Sequence, residues 1–432
     1  MATAEMHTKF MHMMGINQLR TNTASTAEQR ITNVEIVLVL DVSGSMQGTK
    51  LANLKTAARE FVDTIISSDP EERISIALVP YNGQVNLGSV LREKYNATHV
   101  HGVVDVNCID LPSDVYSDAG MSRSLPMPMT GHVDTYSTTN KTNGYVSATD
   151  SNYAKPNALN RWCPPSAVNV VRLPSHDIST LQDQIQNLTA IGATSINAGL
   201  KWSLALLDPG SRDMFSEFVT ASHIPAFFSG RPFDYTDSEA MKVVVLMTDG
   251  EHFTEERLGN AYRVGLSDIY RSSGDGNYSI YHATKSGSSK YWVPHLGTWR
   301  STAWNSGSGV VRQTWPQVWT NLRVSWVAWQ LFARALGADS AGRNAQYTDW
   351  MQDIRVQTAS TVMDSQLQQV CGLAKDNGII IYGIAFEAPS LGRAQIESCV
   401  SSPSHYFDTT GLEIQAAFRA IASNISLLRL TQ

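Results

Sequence analysis

Two aspartates and three hydroxyl residues are spaced so that they could share one hard divalent cation. Asp41-Val-Ser43-Gly-Ser45 alternates a carboxylate with two hydroxyls on one short loop, and Gly44 lets the backbone turn and approach an ion. Thr194, in IGATS, and Asp249, in VLMTDGE, add a third hydroxyl and a second carboxylate. Ions such as Mg²⁺ take about six oxygens, often one or two carboxylates completed by neutral donors and water. With only two carboxylates the ion stays electrophilic enough to accept an acidic group from another molecule. The expected cofactor is therefore one divalent cation, Mg²⁺ ahead of Mn²⁺ or Ca²⁺, and the expected partner a protein ligand with an acidic group. Taken singly, the pieces are ordinary: a polar turn, a threonine that could cap a helix, a TDG turn.

What sets them apart is the elements that must carry them. VEIVLVLD (34–41) is a nearly unbroken apolar, β-branched run of the kind buried on both faces of a parallel sheet, and Asp41 closes it. KVVVLMTD (242–249) is a second such run, closed by Asp249, while RISIALVPY (73–81) and GIIIYGIAF (378–386) read as further strands. Residues 50–66 place Leu51, Leu54, Ala58, Phe61, Val62 and Ile65 on one helical face. Helical patterns also cover 195–207, 363–376 and the last twenty or so residues, from LEIQAAF onward. Strands alternating with helices predict an α/β fold with a doubly wound, mostly parallel sheet. Such sheets bind ligands at the carboxyl ends of their strands, where both aspartates fall.

This scaffold takes up about half of the 432 residues. Residues 90–164 and 251–350 are long, polar and rich in turn residues, and are expected to be functional loops or small subdomains inserted into one unit spanning 31–432, behind an N-terminal arm at 1–30. Eight of the ten tryptophans lie between 292 and 350. Trp315, Trp319, Leu322, Trp326, Trp329, Ala333 and Leu336 recur at helical spacing, which predicts one helix of about six turns. Packing is the plain reading of that stripe, and a binding surface for another protein or a sugar the sharper one.

Composition narrows the function. With 33 basic against 39 acidic residues, a net charge of −6 and no dense Lys/Arg block, nucleic acid is not an expected partner. No run nears the roughly 18 apolar residues of a membrane span, and the first residues lack the apolar centre of a signal peptide. The sequence as it stands is thus expected neither to cross a membrane nor to carry its own export signal. Cys108, Cys163, Cys371 and Cys399 allow three pairings. Cys108 with Cys163 and Cys371 with Cys399 would each close a loop within one region, and would imply an exported protein; four free thiols in a cytosolic protein remain the alternative. DVNCIDLPSDVYSD (105–118) has four aspartates that could hold a second, calcium-type ion, although a solvated loop fits its spacing better. Met6, His7, Met11, His12, Met13 and Met14 form a soft-donor cluster that could attract copper, or else belong to a plain N-terminal arm.

Catalysis is not expected. The nucleophile elbow lacks its first glycine, no phosphate-binding GxxxxGK[ST] loop occurs, and Ser43 stands where a phosphoaspartyl enzyme needs a second acid.

Asp41-Val-Ser43-Gly-Ser45, Thr194 in GATSINAGL and Asp249 in VLMTDGE together resemble the metal-ion-dependent adhesion site (MIDAS) of von Willebrand factor A (vWA) domains, at all five positions and in order. The resemblance implies that the serines and threonine ligate directly or through water, that the aspartates often act through water, and that one position is left for a ligand acid. Beyond the motif, MGINQLRTNTASTAEQRITNVEIVLVLDVSGSMQG, IGATSINAGLKWSLALLDP, CGLAKDNGIIIYGIAFEAP and the closing CVSSPSHYFDTTGLEIQAAFRAIASNISLLRLTQ are similar to TadG-like proteins of tight-adherence (Tad, or Flp) pili. That likeness covers the scaffold at both ends and fades in the two insertions. It implies a part in pilus assembly or a minor pilin near the fibre tip, with pilins, other Tad components, or a host or abiotic surface as partners. It also implies a periplasmic protein, anchored in the inner membrane in a full-length form, or one carried on the pilus, and it supports a Cys371–Cys399 bridge. The family's usual N-terminal anchor helix has no counterpart in these residues. Two other readings stand beside it: a cytosolic vWA partner of a separate ATPase, and a metal-dependent hydrolase.

Overall fold

The computed structural model describes residues 2–7, 18–23, 33–307 and 309–431. Its central element is a six-stranded sheet of β1 (Asn33–Asp41), β2 (Ile74–Tyr81), β3 (Arg172–Ser175), β4 (Ala240–Thr248), β5 (Ile380–Phe386) and β6 (Tyr406–Thr409). The spatial order is β6-β5-β4-β1-β2-β3, and every pair is parallel except β2 with the edge strand β3. The apolar runs at 34–41, 73–81, 242–249 and 378–386 therefore form the four central strands, each buried on both faces as its composition requires.

Alternate residues of each strand feed two separate cores. Ile36, Leu38 and Leu40 pack beneath α1 (Thr49–Ser67), α2 (Ile178–Asn187) and, at the end of the chain, a helix at Glu413–Thr431. Val37 and Val39 face the other way, against α3 (Ile196–Leu207), α4 (Ser360–Asp376) and α5 (Ser390–Cys399). Helices thus cover both faces, and Arg212–Thr220 joins the second of these cores through Met214, Phe215 and Phe218. From β1 the chain winds outward through β2 to β3, then returns to the other flank of β1 and continues outward through β4 and β5 to β6. The reversal lies between β1 and β4, and the loops leaving these two strands open a crevice at their carboxyl ends.

Residues 251–350 hold a third core. An antiparallel five-stranded sheet, in the order Thr298–Arg300, Tyr291–Val293, Tyr278–Tyr281, Leu266–Ser272 and Val310–Thr314, packs against the tryptophan-rich segment. The expected six-turn helix is not continuous. Trp315–Asn321 is helical, Leu322 and Arg323 are extended, and the chain then continues as Val324–Trp326, a π-helical stretch Val327–Ala333 and Arg334–Leu336. The break has a local cause: the Arg323 and Val324 amides donate to the carbonyls of Ala154 and Asp134, bonds that a continuous helix would forbid. The stripe itself is packing, since Trp319, Trp326 and Trp329 are no more than 2% exposed.

Both favoured disulfides are present, with Cα separations of 6.0 Å for Cys108–Cys163 and 5.1 Å for Cys371–Cys399. The four aspartates of 105–118 do not converge. Asp110 is buried on Arg263 at 2.7 Å, so that loop is not wholly solvated, and among the described residues no three His, Cys, Asp or Glu side chains gather as a metal cluster. Met11, His12, Met13 and Met14 lie outside the described residues; Met6 and His7 are described only as backbone of the strand Ala2–His7, which pairs antiparallel with Gln18–Thr23. Among the described residues no helix is long and apolar enough to cross a membrane.

Candidate metal centre

The loop after β1 begins at Asp41, whose side chain is fully buried. One carboxylate oxygen accepts the Ser43 amide at 2.8 Å, and the other accepts the Thr248 hydroxyl at 2.8 Å. The first bond folds Ser43 and Ser45 back over the strand end, so that their hydroxyls stand 3.0 Å apart. From the loop after β4, Asp249 accepts the Ser45 hydroxyl at 2.7 Å on one oxygen and the Lys50 ammonium at 2.8 Å on the other.

Thr194 arrives on a third loop, whose position depends on two close backbone approaches. The Gly44 amide donates to the Gly192 carbonyl at 2.9 Å, and a Cβ on Gly44 would stand only 3.2 Å from that oxygen. Gly192 itself has φ of +83°, where a side chain would be strained. Thr194 then lines the same cavity as Ser43, Ser45 and Asp249. On the far side, Gly392 of α5 presses on the Gly250 carbonyl so tightly that a Cβ would fall 2.1 Å from it, which fixes the turn carrying Asp249.

All five expected residues are therefore brought to one end of the sheet, although Asp41 sits behind the others and meets them through Ser43 and Thr248. Burial and the nearby charge of Asp249 push the Asp41 carboxyl up to about 7. Two neighbouring carboxylates need positive charge near them; Lys50 pairs with Asp249, and among the described residues no ion pair reaches Asp41. The donors are all oxygens, two carboxylates and three hydroxyls, a set that fits a hard divalent cation and offers nothing to a soft one.

Two participants were not read from the sequence. Thr248 is a polar residue interrupting an apolar strand at its last position, a signal that was present. Lys50 belongs to the first turn of α1, and only the meeting of α1 with the β4 loop brings it to Asp249. Further out, the Asn197 amide donates to the Nε2 of buried His252 at 3.1 Å, and the Nδ1 of that ring lies 2.7 Å from Asp364.

No protein-family model matches the chain, and no curated protein matches it in sequence. Among solved structures it is similar to the vWF domain of the type V pili tip protein Mfa5 from Porphyromonas gingivalis, at 14% identity and a TM-score of 0.37 over 93% of this chain and 97% of that one. It is also similar to the pilus adhesin SpaC from Lactobacillus rhamnosus GG, at 13% identity and a TM-score of 0.35, where 92% of this chain spans 31% of the other. The adhesive tip pilin GBS104 from Group B Streptococcus agalactiae matches at 12% identity and a TM-score of 0.35, over 91% of this chain and all of that one. Likeness at this distance is too slight to carry a function across.

Proposed function

We propose that this chain is a metal-dependent adhesion or assembly component of a tight-adherence pilus, a minor pilin or tip adhesin, that binds partners through a MIDAS-type site. The observation that carries the reading is the convergence of Ser43, Ser45, Thr194 and Asp249 on one cavity, with Asp41 behind them, at the strand reversal between β1 and β4. A divalent cation there, Mg²⁺ by preference, supplies an electrophile for a partner's carboxylate. Ser43, Ser45 and Thr194 would hold it with neutral oxygens, and Asp41 and Asp249 would balance its charge. On this reading the chain is one vWA unit from 31 to 432, with inserted segments at 90–164 and 251–350.

The Tad setting rests on the TadG-like segments at both ends of the scaffold, and an exported location is supported by the two disulfides, which cytosolic proteins seldom keep. The same disulfides weigh against a cytosolic partner of an ATPase. Calorimetric titration of EDTA-treated protein with Mg²⁺, Mn²⁺ and Ca²⁺ tests the site. Saturable one-to-one binding, absent in Ser43→Ala/Ser45→Ala and in a folded Asp249→Ala, is the expected result. If Asp249→Ala unfolds, the ion is structural and the adhesion reading loses its support; turnover that disappears in Asp41→Ala would make the chain a hydrolase instead.

A further inference from the structure

The cavity that holds the donor set is about 520 Å³, far more than one carboxylate fills, and its second half is apolar. Tyr136, Leu159 and Phe253 line it and are 50%, 55% and 57% exposed. Large apolar side chains gathered in the open beside a polar centre mark a surface that binds something. These three are held from behind. The Tyr136 amide donates to Asp134 at 3.0 Å, the Leu159 amide to Asn157 at 3.0 Å, and the Phe253 amide to the carbonyl of Thr194 at 3.2 Å. Trp162, only 3% exposed, lies beside Phe253 with ring centroids 6.3 Å apart, and its neighbour Cys163 is bonded to Cys108. The apolar rim is thus built in advance, and little ordering is left to the moment of binding.

Charge limits what can sit there. Glu251 also lines the cavity and is exposed, next to Asp249, while Glu256 is held by Arg355 at 2.7 Å. An acidic run in a ligand would meet Glu251 and the site's own carboxylates at short range, whereas a single acid beside an apolar side chain would not.

Resting on the metal-site reading above, we propose that the site takes an extended segment of another protein in which one Glu or Asp side chain stands next to a bulky apolar residue. The acid reaches the donor set, and its apolar neighbour seats against Tyr136, Leu159 and Phe253. Selection of the neighbour then belongs to the inserted segments, and selection of the acid to the sheet edge.

Three capped peptides test this, Ac-Gly-Glu-Phe-Gly-NH₂, Ac-Gly-Glu-Gly-Gly-NH₂ and Ac-Gly-Gln-Phe-Gly-NH₂, titrated with the Mn²⁺-loaded protein while paramagnetic broadening of peptide protons is followed by NMR. The Glu-Phe peptide should bind at least about tenfold more tightly than either other, a modest return for burying one ring. Phe253→Ala combined with Tyr136→Ala should bring it down to the Glu-Gly level, and Phe253→Leu, which keeps apolar bulk, should retain the preference. Equal binding of the two Glu peptides, or a preference that survives the double alanine variant, would overturn the rim while leaving the metal reading intact. If the Gln peptide binds as well as the Glu-Phe peptide and EDTA changes nothing, both the proposal and the metal reading fall.

Discussion

The sheet and the tryptophan-rich segment solve the same problem, burying a core while pairing backbone polar groups, by opposite means. In the sheet, the backbone satisfies itself through the ladders, and most of the side chains that meet beneath the helices are aliphatic. Against the tryptophan-rich segment, residues 134–155 run with little regular structure, and side chains from 323–347 take up their carbonyls. The indole N–H groups of Trp326 and Trp329 donate to Val146 and Thr142 at 3.0 Å each, the guanidinium of Arg323 to Lys155 and Asn152 at 2.7 Å each, and the Tyr347 hydroxyl to Ser137 at 2.9 Å. Trp202 shows the contrast, since it sits in the scaffold core with no partner for its N–H. Trp202 is volume alone; Trp326 and Trp329 are volume and hydrogen-bond staples. The segments 134–155 and 323–347, far apart in sequence, are thereby tied together.

The largest expected effect comes from removing a staple with its ring. Trp326→Ala leaves a cavity and strands the Val146 carbonyl, and should cost about 3–5 kcal/mol in denaturant unfolding. Hydrogen exchange should show the loss in 134–155 and 262–333 while β1 and β4 keep their protection; equal loss in the sheet would mean that the two cores unfold as one. Trp326→Phe keeps most of the ring and should cost roughly 1–2 kcal/mol, the hydrogen bond and little else.

The disulfides sharpen the comparison next, because Cys371–Cys399 joins helices on the sheet while Cys108–Cys163 lies outside both cores. Cys108→Ser/Cys163→Ser opens a 55-residue separation beside the rim, and Cys371→Ser/Cys399→Ser a 28-residue one between α4 and α5. Chain entropy alone puts each at roughly 3–4 kcal/mol. Only the second should lower the protection of β5, which α5 covers; if the first does so as strongly, the insertion supports the sheet.

A last effect is a pH limb carried by His132, just before the loop 134–155. Burial and the charge of Arg161 push the His132 imidazole down to about 3, so the folded protein holds it neutral where the unfolded chain would protonate it. Its contribution is complete above the ordinary histidine value and is lost as pH falls from about 6.5 toward 3. Thermal melts of His132→Asn should show a shallower acid limb than the parent, and an unchanged limb would place the acid sensitivity elsewhere.

How far the sequence could be read follows the same division. The four central strands and the helices α1, α3 and α4 were legible because a buried parallel strand and an amphipathic helix each write a short, regular period into the chain. Strands β3 and β6 and helices α2 and α5 were not read, the strands having only four residues each, too few for a period to show. In the insertion the spacing of Trp315 to Leu336 gave the apolar face correctly and the continuity wrongly. Nothing local marks Leu322 and Arg323 as extended; the carbonyls of Asp134 and Ala154 that draw the amides of Arg323 and Val324 lie more than 160 positions away.

By itself the sequence determined the donor types and the strand ends that carry them: Asp41 and Asp249 close apolar runs, and a carboxylate that closes a buried strand must emerge at the sheet edge. It also determined that Ser43 and Ser45 share a loop with Asp41. Only the tertiary structure decided which strands are neighbours, and hence that the loops beginning at Asp41 and Asp249 meet at one crevice across the reversal between β1 and β4. The apolar rim was decided there as well. Tyr136, Leu159 and Phe253 carry no common period, and they meet because Trp162, the Cys108–Cys163 bridge and the Thr194 loop fold distant segments against one another. Periodic burial is a local property that a sequence displays, whereas the meeting of aperiodic segments depends on contacts that no short window contains.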